Sequence, residues 1–185
     1  MRKNFGTKTW MYPLPVLIVG SYDENGKADA MNAAWGGIYD ANHVVLCLSA
    51  GHKTTKNIKA KGAFTVSFAD DTHVVSADYV GMVSANNTSE KLEKAGFTTE
   101  KSAFVDAPII CELLMTLECR LVKVNEDGNI IGEIVNVSAD ESILGEDGLM
   151  DAAKLRAISF DPVHNDYLVL GEKVGNAFQD GSALK

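Results

Sequence analysis

The stretch that decides the fold runs from Ala30 to Ile58 and reads AMNAAWGGIYDANHVVLCLSAGHKTTKNI. It contains two turns rich in small and polar residues, at residues 31–37 and 49–57, with a short apolar run between them. That run, Val44–Leu48, is β-branched and aliphatic and is bounded by turn residues, which predicts a buried strand.

The second turn leads directly into a helical pattern over residues 54–61, which ends at Gly62. A polar loop that enters a helix presents free backbone N–H groups at the positive end of the helix dipole, where anions bind. No acid occurs between Gly51 and Gly62, although the chain as a whole carries a net charge of -8. We therefore predict a phosphate site here, with a solvated helix face bearing ordinary lysines as the alternative. The residues assigned to this site are Ser49, Lys53, Thr54, Thr55 and Asn57.

The remaining motifs exclude several functional classes. The loop lacks the spacing of a Walker phosphate loop, and no Gly-x-Gly-x-x-Gly fingerprint follows the strand. The chain has no Gly-x-Ser-x-Gly elbow, and its four histidines lack metal-ligand spacing. We therefore assign no catalytic residue and no metal ligand.

Composition places further limits on the chain. A length of 185 residues suggests one domain, since domains hold about 150 residues. A sequence pI near 4.9 argues against nucleic-acid and anionic membrane partners. No signal peptide or membrane-spanning run is recognisable, so we expect a cytoplasmic protein. The three cysteines form no Cys-x-x-Cys pair and lie in apolar stretches, which indicates buried thiols.

Strand patterns dominate the rest of the chain. A strand over Val16–Tyr22, an Asn-Gly turn and a return strand over Ala28–Ala33 form a predicted hairpin. Mostly hairpin connections and few helices indicate a small antiparallel barrel with peripheral helices. The other predicted elements are strands at 63–68 (with one buried face), 112–125, 130–137 and 168–170, and helices at 70–82 (capped by Asp71 or Thr72), 90–95 and about 149–155.

A series of motifs runs along nearly the whole chain. They are Pro-x-Pro-Val at 13–16, Asn-Gly at 25–26, Asn-Ala-Ala-Trp at 32–35, Ser-x-x-His-Lys-Thr-x-x-Asn-Ile at 49–58, and the segments 78–84, 107–112 and 167–171. Each motif alone has low specificity, but their order and spacing are specific. Together they resemble the flavin reductase-like FMN-binding family, and its flavoredoxin branch most closely.

The resemblance implies a mainly β fold, a split β-barrel formed by a single FMN-binding domain over residues 1–185. It also implies a homodimer with the flavin near the subunit interface. The resemblance implies FMN as the cofactor rather than FAD, and nothing in the sequence suggests a site for an adenine.

In this interpretation the ring of the flavin lies along the first turn, with backbone groups near Ala33 and Ala34 bonded to its polar edge. Tight packing against a neighbouring strand is the alternative for these small residues. Trp35 either shields the ring or fills the core. The residues assigned to the ring are Met31, Asn32, Ala33, Ala34 and Trp35.

His52 lies in the phosphate loop and contacts either the phosphate or the ring in this interpretation. Ser84 begins a segment, residues 84–91, that the family resemblance assigns to phosphate or ribityl contacts. Ala85 departs from the glycine usual in the family. A loop in which Ser89 caps the next helix is the alternative. His164 and Tyr167 either reach the site or form a packed or solvated pair.

The resemblance implies a flavoprotein oxidoreductase that accepts electrons from NAD(P)H or a protein electron donor. Two forms are open, an NAD(P)H-dependent flavin reductase and a flavoredoxin-type electron carrier. The absence of protein catalytic groups fits either, because a flavin carries the redox chemistry itself. The alternative from another class is a non-redox split-barrel module that binds a different ligand.

Overall fold

The computed structural model describes every residue from 1 to 185, and its architecture is mainly β. None of its helices is long and apolar enough to cross a membrane. The strands are β1 Leu14–Pro15, β2 Leu17–Tyr22, β3 Ala28–Ala33, β4 Gly36–Ile38, β5 His43–Leu46, β6 Ala63–Phe68, β7 Thr99–Lys101, β8 Pro108–Ile110, β9 Met115–Val124, β10 Ile130–Ala139, β11 Ile158–Asp161 and β12 Asp166–Val169. The α-helices are α1 Lys53–Lys61, α2 Val74–Met82, α3 Lys91–Lys94 and α4 Ala152–Leu155, and two 3₁₀ helices occupy Glu141–Ile143 and Asp180–Leu184.

Seven antiparallel strands form the main sheet in the order β3-β2-β6-β9-β10-β5-β4. Its two edge strands, β3 and β4, are consecutive in sequence and are joined only by Ala34 and Trp35. The Cys47 N–H also donates to the Trp35 carbonyl at 2.8 Å. The sheet must therefore curl until its edges approach each other, as in a barrel. Two smaller sheets, β1-β11-β12 and β7-β8, lie outside it.

Two apolar clusters pack on the opposite faces of the main sheet. Strand β2 contributes to both, because Leu17 and Val19 belong to the inner cluster and Ile18 to the outer one. The inner cluster fills the barrel around Phe64, which is fully buried. The outer cluster packs the sheet against α2 and β11. Burial on both faces explains why β2 is a continuous apolar run rather than an alternating one.

The elements that depend on local sequence signals have the bounds predicted from the sequence, or nearly so. Strands β2 and β3 pair antiparallel around a turn in which Gly26 has a φ of 79°. Helix α1 ends at Gly62, which has a φ of 69° and donates its N–H to the Ile58 carbonyl. Strand β6 has the predicted bounds, but the prediction of a single buried face is wrong. Its Thr65 hydroxyl is buried and donates to the Pro108 carbonyl at 2.6 Å.

The predicted helix at 70–82 begins later, at Val74, and neither Asp71 nor Thr72 caps it. The carboxylate of Asp70 accepts the backbone N–H groups of Thr72 at 2.9 Å and His73 at 3.0 Å and holds a turn before the helix. Asp71 instead pairs with Arg156, 85 residues away, at 2.7 Å. Asp71, which the local sequence predicts as the N-cap of α2, is thus engaged in an ion pair with a distant residue.

The predicted strand at 112–125 begins at Met115, because Glu112 is held in a turn by the Thr98 N–H at 3.0 Å. The second face of β9 is also covered at Glu118, which is 1% exposed. Its carboxylate accepts bonds from the Ser102 hydroxyl and, at 2.6 Å, from the Asn136 amide. A buried carboxylate needs such partners, since burying an unpaired charge is costly.

The thiols do not share one environment. Cys119 is buried, and desolvation first and the charge of Glu118 second raise its pKa to about 12. Cys47 and Cys111 are exposed, so the prediction of three buried thiols is wrong for both.

The strand β11, which pairs with β1 and β12, is absent from the elements that the sequence predicts.

The N-terminal segment is tied to β11 through Asp161. Its carboxylate accepts bonds from the Tyr12 hydroxyl and from the His164 ring, the latter at 2.8 Å. The bond from Tyr12 is the main reason that the pKa of Asp161 falls from 3.8 to about 2. A carboxyl with a lowered pKa stabilises the folded form above its ordinary pKa, and this contribution is lost as the pH falls toward the folded value.

We expect the segment before β1 to detach as the pH falls from about 4 to about 2, because protonation of Asp161 weakens these bonds. Tryptophan fluorescence follows the change through Trp10, and Tyr12→Phe is the control because it removes the same bond at every pH. An unaltered acid transition in Tyr12→Phe would show that this contact has no part in it.

Candidate functional site

The N-terminus of α1 is open. The backbone N–H groups of Lys53, Thr54 and Thr55 have no hydrogen-bond partner, and His52 makes no side-chain capping bond. The first turn contains no acidic residue. The positive end of the helix dipole and three free donors therefore point out of the helix at this position.

Three side chains of α1 that the sequence assigns to the phosphate face the interior. The Thr54 hydroxyl donates to Asp29 at 3.1 Å, the Thr55 hydroxyl to the Ser49 carbonyl at 2.9 Å, and the Asn57 amide to the Ser21 hydroxyl at 3.1 Å. None is more than 3% exposed. These bonds fix the helix on the barrel and hold the shape of the loop before it.

Lys91 is the residue of this region that sequence reasoning missed. It begins α3 and is only 3% exposed, and its Nζ lies 3.4 Å from the buried carboxylate of Asp29. Burial lowers the pKa of Lys91, and the attraction of Asp29 partly offsets this effect. In the sequence it lies in a short polar helical pattern like any surface lysine. Only the pairing with Asp29, 62 residues away, distinguishes it.

Two adjoining cavities, of about 160 and 300 Å³, open between the N-terminus of α1, strand β3 and the loop after α2. Residues Asp29, Lys53, Ala85 and Lys91 line both of them. His52, Thr54, Met31 and Ser84 line the smaller one. Of the five residues assigned to the phosphate, Lys53 and Thr54 border these cavities, whereas Ser49, Thr55 and Asn57 do not, and the buried Lys91 is added to them.

Ser84 lies on the rim in a tight turn, where its hydroxyl accepts the Asn86 N–H at 3.2 Å. Its carbonyl accepts the N–H groups of Asn87 and Thr88 at 3.0 and 3.1 Å. Ser89 does not cap the next helix, because its hydroxyl bonds to the Glu90 carboxylate. The alternative of a capping serine is therefore wrong.

The predicted ring residues divide between two environments. Met31 and Ala33 pack against the inner cluster. Ala34 and Trp35 instead line a cavity of about 550 Å³, together with the N-terminal segment from Lys8 to Pro15. Trp35 is 57% exposed, so it does not fill the core.

The alternative of tight packing holds at one of the two glycines that follow Trp35. A Cβ on Gly36 would lie 2.8 Å from the Leu46 side chain, so this glycine permits close contact with β5. A Cβ on Gly37 would meet nothing within 4 Å. Gly37 therefore faces open space, and with Trp35 it lines the 550 Å³ cavity.

Asn32, the remaining predicted ring residue, turns its amide toward α2 and donates to the Ala77 carbonyl at 3.0 Å. His164 is exposed and bonded to Asp161. With Asp166 these two residues form a group whose ligand atoms lie within 4.8 Å of one another, but two bonds already engage the Asp161 carboxylate.

The profile of the flavin reductase like domain matches residues 9–159, and the chain belongs to this family. Among solved structures, flavoredoxin of Desulfovibrio vulgaris (Miyazaki F) is 37% identical, with a TM-score of 0.95 over 98% of this chain and 100% of that one. Flavoredoxin from Methanosarcina acetivorans is 26% identical, with a TM-score of 0.90 and full coverage of both chains.

A third structure, an FMN-binding domain of a flavin reductases-like enzyme from Shewanella baltica, is 21% identical and shares the fold with a TM-score of 0.77 over 88% of each chain. The family match and these neighbours confirm the predicted family, its flavoredoxin branch and the split-barrel fold class. They also support FMN as the cofactor, as the sequence predicts.

Proposed function

We propose that this protein is an FMN-binding flavoprotein oxidoreductase. The observation that carries the proposal is the open N-terminus of α1 beside a buried lysine, in a cavity connected by one strand to the predicted ring turn. Three free N–H groups, the Lys53 ammonium and Lys91 form a site suited to a phosphate dianion.

Strand β3 connects the two parts of the proposed site. Met31 borders the small cavity, and Ala34, three residues on, borders the large apolar one. At a rise of about 3.3 Å per residue these positions lie roughly 10 Å apart along the strand. This arrangement fits a ligand whose phosphate and apolar ring are joined by a polar chain.

The residues divide the work of binding in this proposal. His52, Lys53 and the α1 backbone contact the phosphate, while Thr54, Thr55 and Asn57 hold that backbone in place. Ala34 and Trp35 border the ring, and Ser84 lies on the rim between. Bound FMN would accept a hydride or electrons, and the protein orients and tunes it.

We further propose that the donor is NAD(P)H or an electron-transfer protein and that the protein acts as a cytoplasmic homodimer. Similarity to flavoredoxin favours an electron carrier, and the family as a whole favours a flavin reductase. Rapid-mixing reduction of the bound flavin by NADH and by NADPH separates the two. Fast reduction supports a reductase, and slow reduction supports a carrier.

We expect Lys53→Ala to weaken FMN binding by about 1–3 kcal/mol, the value of a hydrogen bond to a charged group. The present partner of Lys53 is Asp23, at 3.6 Å. This pair is long and partly exposed to solvent, so it stabilises little, and Lys53 can exchange it for a bond to a phosphate.

Fluorescence titration of the apoprotein with FMN measures this change. Lys59→Ala is the matched control, because Lys59 is an exposed lysine of the same helix. Equal losses in the two variants would remove Lys53 from the site. A wild-type protein that purifies colourless and does not bind added FMN would contradict the proposed function itself.

A further inference from the structure

Tyr167 connects the outer sheet to the helix that borders the site. It lies on β12, and its hydroxyl donates to the Asp78 carboxylate of α2 at 2.7 Å, across 89 residues of sequence. Burial first and this hydrogen bond second raise the pKa of Tyr167 to about 12. The hydroxyl is therefore a permanent donor at neutral pH.

Asn32 meets the same turn of α2. Its amide donates to the carbonyl of Ala77, the neighbour of Asp78. The Asn32 side chain also lies next to the Tyr167 hydroxyl, where it partly offsets the rise in that pKa. A Cβ on Gly81 would lie 3.0 Å from the Asn32 Cβ, so α2 packs against Asn32 as closely as a glycine allows.

The contacts matter because β3 is an edge strand. No strand pairs with its outer side, so its end must be fixed by other groups. The bond from Asn32 to α2 fixes the strand just before Ala33 and Ala34, and the bond from Tyr167 fixes α2 at the adjacent residue.

We propose that Tyr167 and Asp78 are positioning residues for the flavin ring, acting through Asn32 on the turn at Ala33–Trp35. This inference rests on the proposed function. It assigns Tyr167 a role in the site without direct contact with the cofactor.

The test compares Tyr167→Phe with wild type in FMN titrations and in visible absorption spectra of the saturated proteins. We expect the FMN dissociation constant to rise about threefold to tenfold, the effect of one hydrogen bond. We also expect the visible bands of bound FMN to shift, which a loss of overall stability alone would not produce. Tyr22→Phe, at a tyrosine with no side-chain bond, should change neither quantity.

Two variants of Asp78 provide a second measurement. Asp78→Asn keeps an oxygen that accepts the bond from Tyr167 and should resemble wild type, whereas Asp78→Ala should resemble Tyr167→Phe. If wild type binds FMN and both Tyr167→Phe and Asp78→Ala give its affinity and spectrum, this inference is overturned and the proposed function stands. Failure of wild type to bind FMN would overturn both.

Discussion

Replacing Lys91 with methionine is expected to lower the free energy of unfolding by about 3–5 kcal/mol, because removing one partner of a buried ion pair leaves the other charge uncompensated. Asp29, at 4% exposure, would retain only the Thr54 hydroxyl at 3.1 Å. Chemical denaturation at neutral pH measures the change. Lys94→Met is the matched control on the same helix, and its exposed pair with Glu90 should contribute less than about 1 kcal/mol.

The double variant Lys91→Met with Asp29→Asn should regain most of the stability lost. Removing both charges leaves no uncompensated charge, and replacing both partners of a buried ion pair is often close to neutral. Burial lowers the pKa of Lys91 despite the attraction of Asp29. Asparagine also keeps an oxygen for the Thr54 hydroxyl. If the double variant is no more stable than Lys91→Met, or if Lys91→Met is as mild as Lys94→Met, the buried pair does not behave as described. In the proposed site we expect the double variant to bind FMN more weakly than wild type does, because the Lys91 ammonium group is no longer there to donate to the phosphate.

Phe64→Ala is expected to cost about 3–5 kcal/mol of the free energy of unfolding, the usual result of removing a fully buried aromatic ring. Phe64 is 0% exposed and lies in the inner cluster at the centre of the barrel. Thermal and denaturant unfolding should agree on this loss. A cost below about 1 kcal/mol would mean that the barrel interior collapses to refill the space.

The neighbouring Gly132 gives this prediction a sharper form. A Cβ there would lie 2.7 Å from the Phe64 Cε1 atom, so Gly132→Ala alone should be destabilising by about 1–3 kcal/mol through overpacking. Added to Phe64→Ala, the same alanine enters the vacated space and should cost much less. Strict additivity of the two changes would contradict direct contact between the ring and this position.

Much of the fold could be predicted because its signals are local. The Asn-Gly turn defines the β2–β3 hairpin, and Gly62 ends α1 at the expected residue. Strand β9 begins late because Glu112 bonds to Thr98, and β11 was missed because its four residues depend on pairing with the distant β1 and with β12. Tertiary partners, which no local pattern contains, decide such boundaries.

The candidate site divides in the same way. The loop and the helix that carry the free N–H groups follow from residue types at neighbouring positions. The inward direction of Thr54, Thr55 and Asn57 depends on Asp29, Ser49 and Ser21, and the burial of Lys91 depends on a residue far away in sequence. The side chains that shape the site are therefore less predictable than those that face solvent at its rim.

The inward-facing polar side chains of α1 also restrict how this protein can evolve. A mutation at Thr54, Thr55 or Asn57 would unsettle the scaffold before it altered any preference for a ligand. Drift toward a different anion or a bulkier nucleotide has to proceed through His52, Lys53, Ser84 and Ala85, which border the cavity. A change of ligand is therefore expected to come from these bordering groups, with the buried bonds that hold α1 left in place.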